Sequence, residues 1–153
     1  MSGFSIIIAG VGGQGTVLAS RVLAQAAVAQ GLAARTAENI GMAQREGSVQ
    51  SHVRIGQPDF GPLIPAGGAD LMLAFEPAEA VRSLGILKPG GVALVNTAAI
   101  HPVTVTLGKS RYDEAEMRRF LQEKAPGVKF VPGTELAVEA GNIKTVNVVM
   151  LGA

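Results

Sequence analysis

Cysteine is absent from this 153-residue chain. That excludes disulfides, a thiol nucleophile, and zinc or iron–sulfur clusters held by thiolates of the chain itself. Tryptophan is also absent, and aromatic residues are only 4% of the total. The core must therefore be built from Ala, Val, Leu and Ile. No charge of one sign dominates: 13 Lys and Arg stand against 12 Asp and Glu. This balance gives no electrostatic case for nucleic acid or a membrane surface as partner. No apolar run approaches the roughly 20 residues of a spanning helix, and the N-terminus has neither a basic region nor a cleavage site of the secretory kind. These absences set the expectation of a cytoplasmic protein.

What the chain does have is turn chemistry, with 20 glycines and 8 prolines. Its length suits one α/β domain, residues 1–153. Residues 4–9 read as a buried strand, short and β-branched and stopped by glycine. Val17, Leu18, Val22, Leu23 and Ala26 then fall at helical spacing over 14–30, and Gly31 ends that helix. Residues 32–37 read as a second strand, followed by the glycine-flanked loop "ENIGMAQREGS". The stretch "SVQSHVRI" alternates, with Val49, Val53 and Ile55 on one face and Gln50, His52 and Arg54 on the other. "ADLMLAF" and "VALVN" are core strands, "LKPGG" a turn, and Glu76-Pro77 a helix start. "DEAEMRRFLQEKA" is an amphipathic helix with Asp113 and Glu116 spaced as a capping box, and "VKFVP" a last strand. Val146, Val149, Met150 and Ala153 repeat at helical spacing up to the end, so the domain is expected to lack its last C-terminal helix.

Strand and helix patterns alternate, which predicts a Rossmann-like, doubly wound, mostly parallel sheet with helices on both faces. The "SHVRIG" segment has no following helix, so part of the sheet is expected to be antiparallel and the sheet mixed.

Two segments carry candidate chemistry. Gly10, Gly12 and Gly15 satisfy G-x-G-x-x-G between a strand and a helix. There glycine permits a tight turn, close backbone approach, and close packing of helix on strand, while the helix N-terminus favours an anion. The bland alternative is that these glycines serve packing alone. A nicotinamide dinucleotide would need an acidic residue after the second strand. Glu38 is near that place, but an ordinary solvated carboxylate is the simpler reading. The loop also resembles that of ubiquitin-activating-type adenylyltransferases, without the Arg, Lys and Asp set that accompanies it there. The second segment, "GMAQREGSVQSHVRIG", gathers Gln44, Arg45, Ser48, His52 and Arg54. It holds no nucleophile elbow. His52 and His101 lack a third ligand, so no metal site is expected. On spacing alone its histidine and arginines read as ordinary strand and surface residues.

Taken together, "IAGVGGQG", "GMAQREGSVQSHVRIG", "ADLMLAFEPAEAVR", "LKPGGVALVN" and "NIKTVNVVMLGA" resemble, in order and over nearly the whole chain, the gamma domain of 2-oxoacid:ferredoxin oxidoreductases. The second of them is most similar to the beta subunits of the indolepyruvate-type enzymes. Glu46 departs from the glycine usual in that segment. The resemblance implies a subunit of an enzyme that decarboxylates a 2-oxoacid oxidatively, passes electrons to ferredoxin and the acyl group to coenzyme A. It implies that thiamine diphosphate and iron–sulfur clusters belong to a large partner subunit, and that this chain alone binds no cofactor and supplies no catalytic residue. It places coenzyme A phosphates at the loop Gly10, Gly12, Gly13, Gln14 and Gly15. Gln44, Arg45, Ser48, His52 and Arg54 become partner- or substrate-side residues, with the polar face of their strand left free. The alternatives are a free-standing NAD- or nucleotide-binding domain and a pure assembly module with an empty loop.

Overall fold

The computed structural model describes residues 3–40, 47–56, 59, 61–101, 107 and 111–153. Gln44 and Arg45, with Glu46, lie outside these residues. Six strands form one sheet: β1 (Phe4–Val11), β2 (Ala34–Ile40), β3 (Ser48–Ile55), β4 (Ala69–Ala74), β5 (Leu87–Asn96) and β6 (Val128–Val131). Their order is β2-β3-β1-β4-β5-β6. β1, β4, β5 and β6 pair in parallel, while β3 runs antiparallel to both β1 and β2. The sheet is thus mixed in the place where "SHVRIG" lacks a crossover helix, because an antiparallel neighbour needs only a hairpin.

Helices cover both faces. On one, α1 (Thr16–Ala29), α4 (Gly133–Glu139) and α5 (Val146–Gly152) bury Ala19, Ala137, Val146 and Met150 against Ile6, Ile8 and Val53. On the other, α2 (Pro77–Ser83) and α3 (Glu114–Lys124) bury Ala80 and Leu121 against Ile7, Ala9, Met72 and Val95. The alternation along β1 is what feeds two cores from one strand. Asp113 caps α3 as its spacing predicts, accepting the Glu116 N–H at 3.0 Å.

Three expectations shift. β2 lies at 34–40 rather than 32–37. It is an edge strand with mostly exposed residues, so no burial pattern marks its ends. α4 has no counterpart in the periodicity reading. The "LKPGG" turn sits inside β5, where Ala69 faces Leu87 but Leu71 already faces Val92. The chain bulges out between these pairs, with Gly90 at a φ of 77°. Asp70 is the residue opposite the bulge and is bound to Lys88 and, at 2.7 Å, to the Ser5 N–H. Partial burial works to raise the Asp70 pKa, yet these two donors outweigh it and hold the carboxyl below its ordinary value.

Candidate functional site

In a doubly wound sheet the ligand crevice lies outside the carboxyl ends of the parallel strands, where the winding changes direction. Here that point is between β1 and β4. The glycine loop follows β1 directly, and its own hydrogen bonds close much of the crevice. Gln14 Oε1 accepts the Val11 N–H at 2.9 Å, and Gln14 Nε2 donates to the Phe75 carbonyl at 3.0 Å. That one side chain therefore bridges the ends of β1 and β4. The Phe75 carbonyl also receives Asn96 Nδ2 at 3.1 Å. Asn96 reaches on to α4, donating to Thr134 Oγ1 at 2.9 Å and accepting the Thr134 N–H at 3.2 Å. A chain of two side-chain amides, half-buried Gln14 and buried Asn96, thus ties β1, β4, β5 and α4 together.

The loop's backbone is partly committed as well. The Gly12 N–H donates to the Gly47 carbonyl at 2.9 Å and the Gln14 N–H to the Val11 carbonyl at 3.2 Å. A phosphate at this loop would not find the Gly12 and Gln14 amides available. It would address the first-turn amides of α1, which have no side-chain cap and no intrahelical acceptor. Gly15 is in the left-handed region, at φ 82°. A Cβ there would stand 2.5 Å from Asn147 Nδ2 on α5. The third glycine of the motif thus lets a second helix, rather than the strand, approach α1.

Beside the bridged crevice a cavity of about 370 Å3 opens between the glycine loop, the segment after β5, and the start of α5. Gly13, Gln14 and Thr134 form one side, Ile100, Ile143 and Val146 an apolar side, and Lys144 supplies a cation. Gly13 has a φ of 91° and open space where a Cβ would go. This donor set fits an anionic group carried on a largely neutral body. A further buried group lies nearby. The Glu76 carboxylate, 1% exposed, caps α2 by accepting the Glu79 N–H at 3.0 Å and also accepts the Tyr112 hydroxyl. Burial, and then the negative charge of Glu76, push the Tyr112 phenol well above its ordinary pKa. Tyr112 stays a neutral donor, with the His101 ring 4.8 Å away.

The second sequence segment is spread along β3 rather than gathered at a site. Ser48 is at the glycine-loop end, paired with Val11, whereas Arg54 is paired with Ser5 at the opposite end. Six residues at about 3.3 Å each separate them by about 20 Å. Nor is the polar face free. Ser48 Oγ donates to Glu79 Oε2 at 2.5 Å and Gln50 Nε2 to Ser83 Oγ at 2.9 Å. His52 Nδ1 accepts the Ile64 N–H at 3.2 Å, and Arg54 donates to the Gly61 and Leu63 carbonyls at 3.0 and 3.3 Å. The face that alternation leaves polar is covered by α2 and by residues 61–64. Glu38 is exposed on β2, separated from β1 by the whole of β3. The acidic residue that a dinucleotide ribose needs is therefore one strand spacing, about 5 Å, further out than in a parallel arrangement.

His52 makes a testable pH device. Its Nδ1 must be unprotonated to accept, and burial lowers its pKa from the ordinary 6.5. The unfolded chain then binds the extra proton more readily, so stability rises with pH across this range. The contribution is present above pH 6.5 and is lost as pH falls through the lower folded value. Thermal melting between about pH 7.5 and 5.5 should show a declining midpoint. In His52→Asn, which keeps an acceptor but does not titrate, that decline should shrink. An identical slope in both proteins would rule the device out.

The chain's relatives fit this architecture. A family model described as "pyruvate ferredoxin/flavodoxin oxidoreductase" matches residues 5–153. The chain belongs to that family. Among curated proteins, indolepyruvate oxidoreductase subunit IorB of Thermococcus kodakarensis is 43% identical over 100% of this chain and 77% of its own length. The subunit of the same name from Archaeoglobus fulgidus is 46% identical over 97% of this chain and 74% of its own. Among solved structures, the gamma subunit of a keto/oxoacid ferredoxin oxidoreductase from Geobacter sulfurreducens has a TM-score of 0.65 at 24% identity, covering 97% of this chain and 73% of that one. A 2-oxoglutarate:ferredoxin oxidoreductase from Magnetococcus marinus, solved with 2-oxoglutarate, coenzyme A and succinyl-CoA, has a TM-score of 0.70 at 22% identity. It covers all of this chain and 24% of that one. These two likenesses concern the fold. The family membership makes this a chain of an oxidoreductase, and a free-standing dinucleotide enzyme is not favoured.

Asn96, Thr134, Lys144 and Glu79 were not singled out by sequence reasoning. Glu76 was noted only as a helix start. The one sequence signal for the glutamates was their place at the cap and in the first turn of a short helix that opens on proline.

Proposed function

We propose that this chain is the subunit without thiamine or clusters in a 2-oxoacid:ferredoxin oxidoreductase acting on indolepyruvate or a related aryl pyruvate. A large partner subunit carries thiamine diphosphate and the iron–sulfur clusters, and ferredoxin accepts the electrons. The observation that carries this is identity of 43% along the full chain with a protein named as an indolepyruvate oxidoreductase subunit. The lack of cysteine agrees with it, since no cluster is ligated by thiolates here. Coenzyme A, as the acyl acceptor, fits the cavity beside Gly13, Gln14, Thr134 and Lys144. There the cation and the first-turn amides of α1 would hold its anionic part. The chain's own work is then to bind and orient that acceptor and to exclude water from it.

Affinity purification from native cells tests the reading. A large iron-containing subunit should co-purify, and the complex but not the isolated chain should oxidise an aryl pyruvate in the presence of coenzyme A. Robust activity of the pure chain would overturn it. Within the complex, Lys144→Ala should raise the KM for coenzyme A about tenfold with little change in that for the 2-oxoacid, the loss of one charge-assisted contact. Equal KM values in a correctly assembled variant would remove the cofactor from this cavity.

A further inference from the structure

We propose that Glu79 is a positioning residue of the glycine loop, acting through Ser48 and Gly47. The inference rests on the reading above only in taking that loop as part of the site. Glu79 is fully buried, at 0% exposure. A carboxylate in that place is costly, and an apolar residue of similar volume would pack there at no such cost. What the carboxylate does is specific. One oxygen pairs with Arg82 on the same helix, and the other accepts Ser48 Oγ at 2.5 Å.

Ser48 is the first residue of β3 and makes the end pair of the ladder with β1, standing opposite Val11. The next bond along is Gly12 N–H to Gly47 carbonyl at 2.9 Å. The Gly47–Ser48 peptide unit is therefore gripped from two sides, by the glycine loop and by α2. Freed of Glu79, the start of β3 would be held only by the ladder, and Gly12 would depend on a carbonyl with one less restraint. The same helix is capped by Glu76, next to Phe75, whose carbonyl receives Gln14. α2 thus fixes the glycine loop at both ends, through Phe75 just after β4 and through Ser48 on β3. The sequence stretches "GSVQ" and "EPAEAVRS" interlock, with Gln50 bound to Ser83 one step further along.

Hydrogen exchange followed by mass spectrometry on the full chain tests this without any ligand. Ser48→Ala and Glu79→Gln should speed exchange in a peptide spanning residues 8–16 about tenfold, while a peptide from β4 keeps its protection. Ser48→Thr, which retains the hydroxyl, should restore protection. Gln50→Ala, which loosens the same helix from the same strand, should leave the glycine loop protected. Unchanged exchange at residues 8–16 in Ser48→Ala overturns the proposal even if Glu79→Gln fails to fold, and so does a loss spread evenly over the chain. A loosened loop in an assembled complex whose KM for coenzyme A stays normal supports the positioning role and removes coenzyme A from the loop.

Discussion

Gly15→Val should lower the melting temperature by roughly 10 °C. Gly15 sits at φ 82° and ψ 28° as the residue before α1. A β-branched residue is among the least suited to that conformation, and holding a non-glycine residue in such a region costs about 1–3 kcal/mol. Space is the second obstacle. The new Cβ would meet Asn147 Nδ2 at 2.5 Å and Asn147 Cγ at 3.1 Å. Asn147 is itself buried, at 4% exposure, so it has little room to swing away. Relief would require α5 to move, and α5 carries Val146 and Met150 into the core beside Ile8 and Ala19. Overpacking of this kind costs about another 1–3 kcal/mol. At roughly 2–4 °C per kcal/mol for a domain of this size, the sum gives the stated fall. Gly13→Ala is the control. Its φ is 91° but nothing lies within 4 Å of the added Cβ, so only the backbone contribution remains and the fall should be less than half as large. A Gly15→Val protein that melts within about 2 °C of the parent would mean that α5 does not pack on the loop as described.

Much of this fold could be read from the chain before its structure. β3 runs from Ser48 to Ile55 as its alternation predicts, and Asp113 caps α3 as its spacing predicts. Those features are local: a period of two, or a cap and its amide three residues on. The mixed sheet was also foreseeable, because a strand with no crossover after it cannot easily return in parallel. The candidate site was less legible, for a physical reason. The glycine loop announces itself through residues that must adopt unusual backbone angles. Its partners do not. Asn96 is one polar residue at the end of "VALVN", and Thr134 starts a helix that no periodicity marked. Their pairing spans 38 positions. Alternation places His52 and Arg54 on a polar face but does not say what covers that face. Here α2 and residues 61–64 do, so polarity on β3 reflects buried hydrogen bonding rather than an open surface. Bound to the carbonyls of Gly61 and Leu63, Arg54 has a structural role, which Arg54→Ala should expose in a thermal melt of the isolated chain.

Asn96→Leu should cost about 3 kcal/mol, although the two side chains are close in size. Asn96 is 1% exposed and makes three hydrogen bonds. It donates to the Phe75 carbonyl at 3.1 Å and to Thr134 Oγ1 at 2.9 Å, and it accepts the Thr134 N–H at 3.2 Å. Leucine fills the space but satisfies none of them. A lost hydrogen bond costs about 0.5–1.5 kcal/mol, and a donor left buried without an acceptor costs about 1–3 kcal/mol. The Phe75 carbonyl fares better than Thr134, since it keeps Gln14 Nε2 at 3.0 Å. The penalty should therefore concentrate at the start of α4. Thr134→Val in the same protein tests that distribution. With the hydroxyl already gone, the second substitution should add less than it costs alone, giving a coupling of about 0.5–3 kcal/mol in a double-mutant cycle by urea unfolding. Gln14→Ala should behave in the opposite way. Alone it leaves Phe75 with Asn96, but combined with Asn96→Leu it strips the carbonyl of both side-chain donors, so the pair should cost more than the sum. Strict additivity in both cycles would show that the two amides act separately, and the bridge between the glycine loop and α4 would then not be a single network.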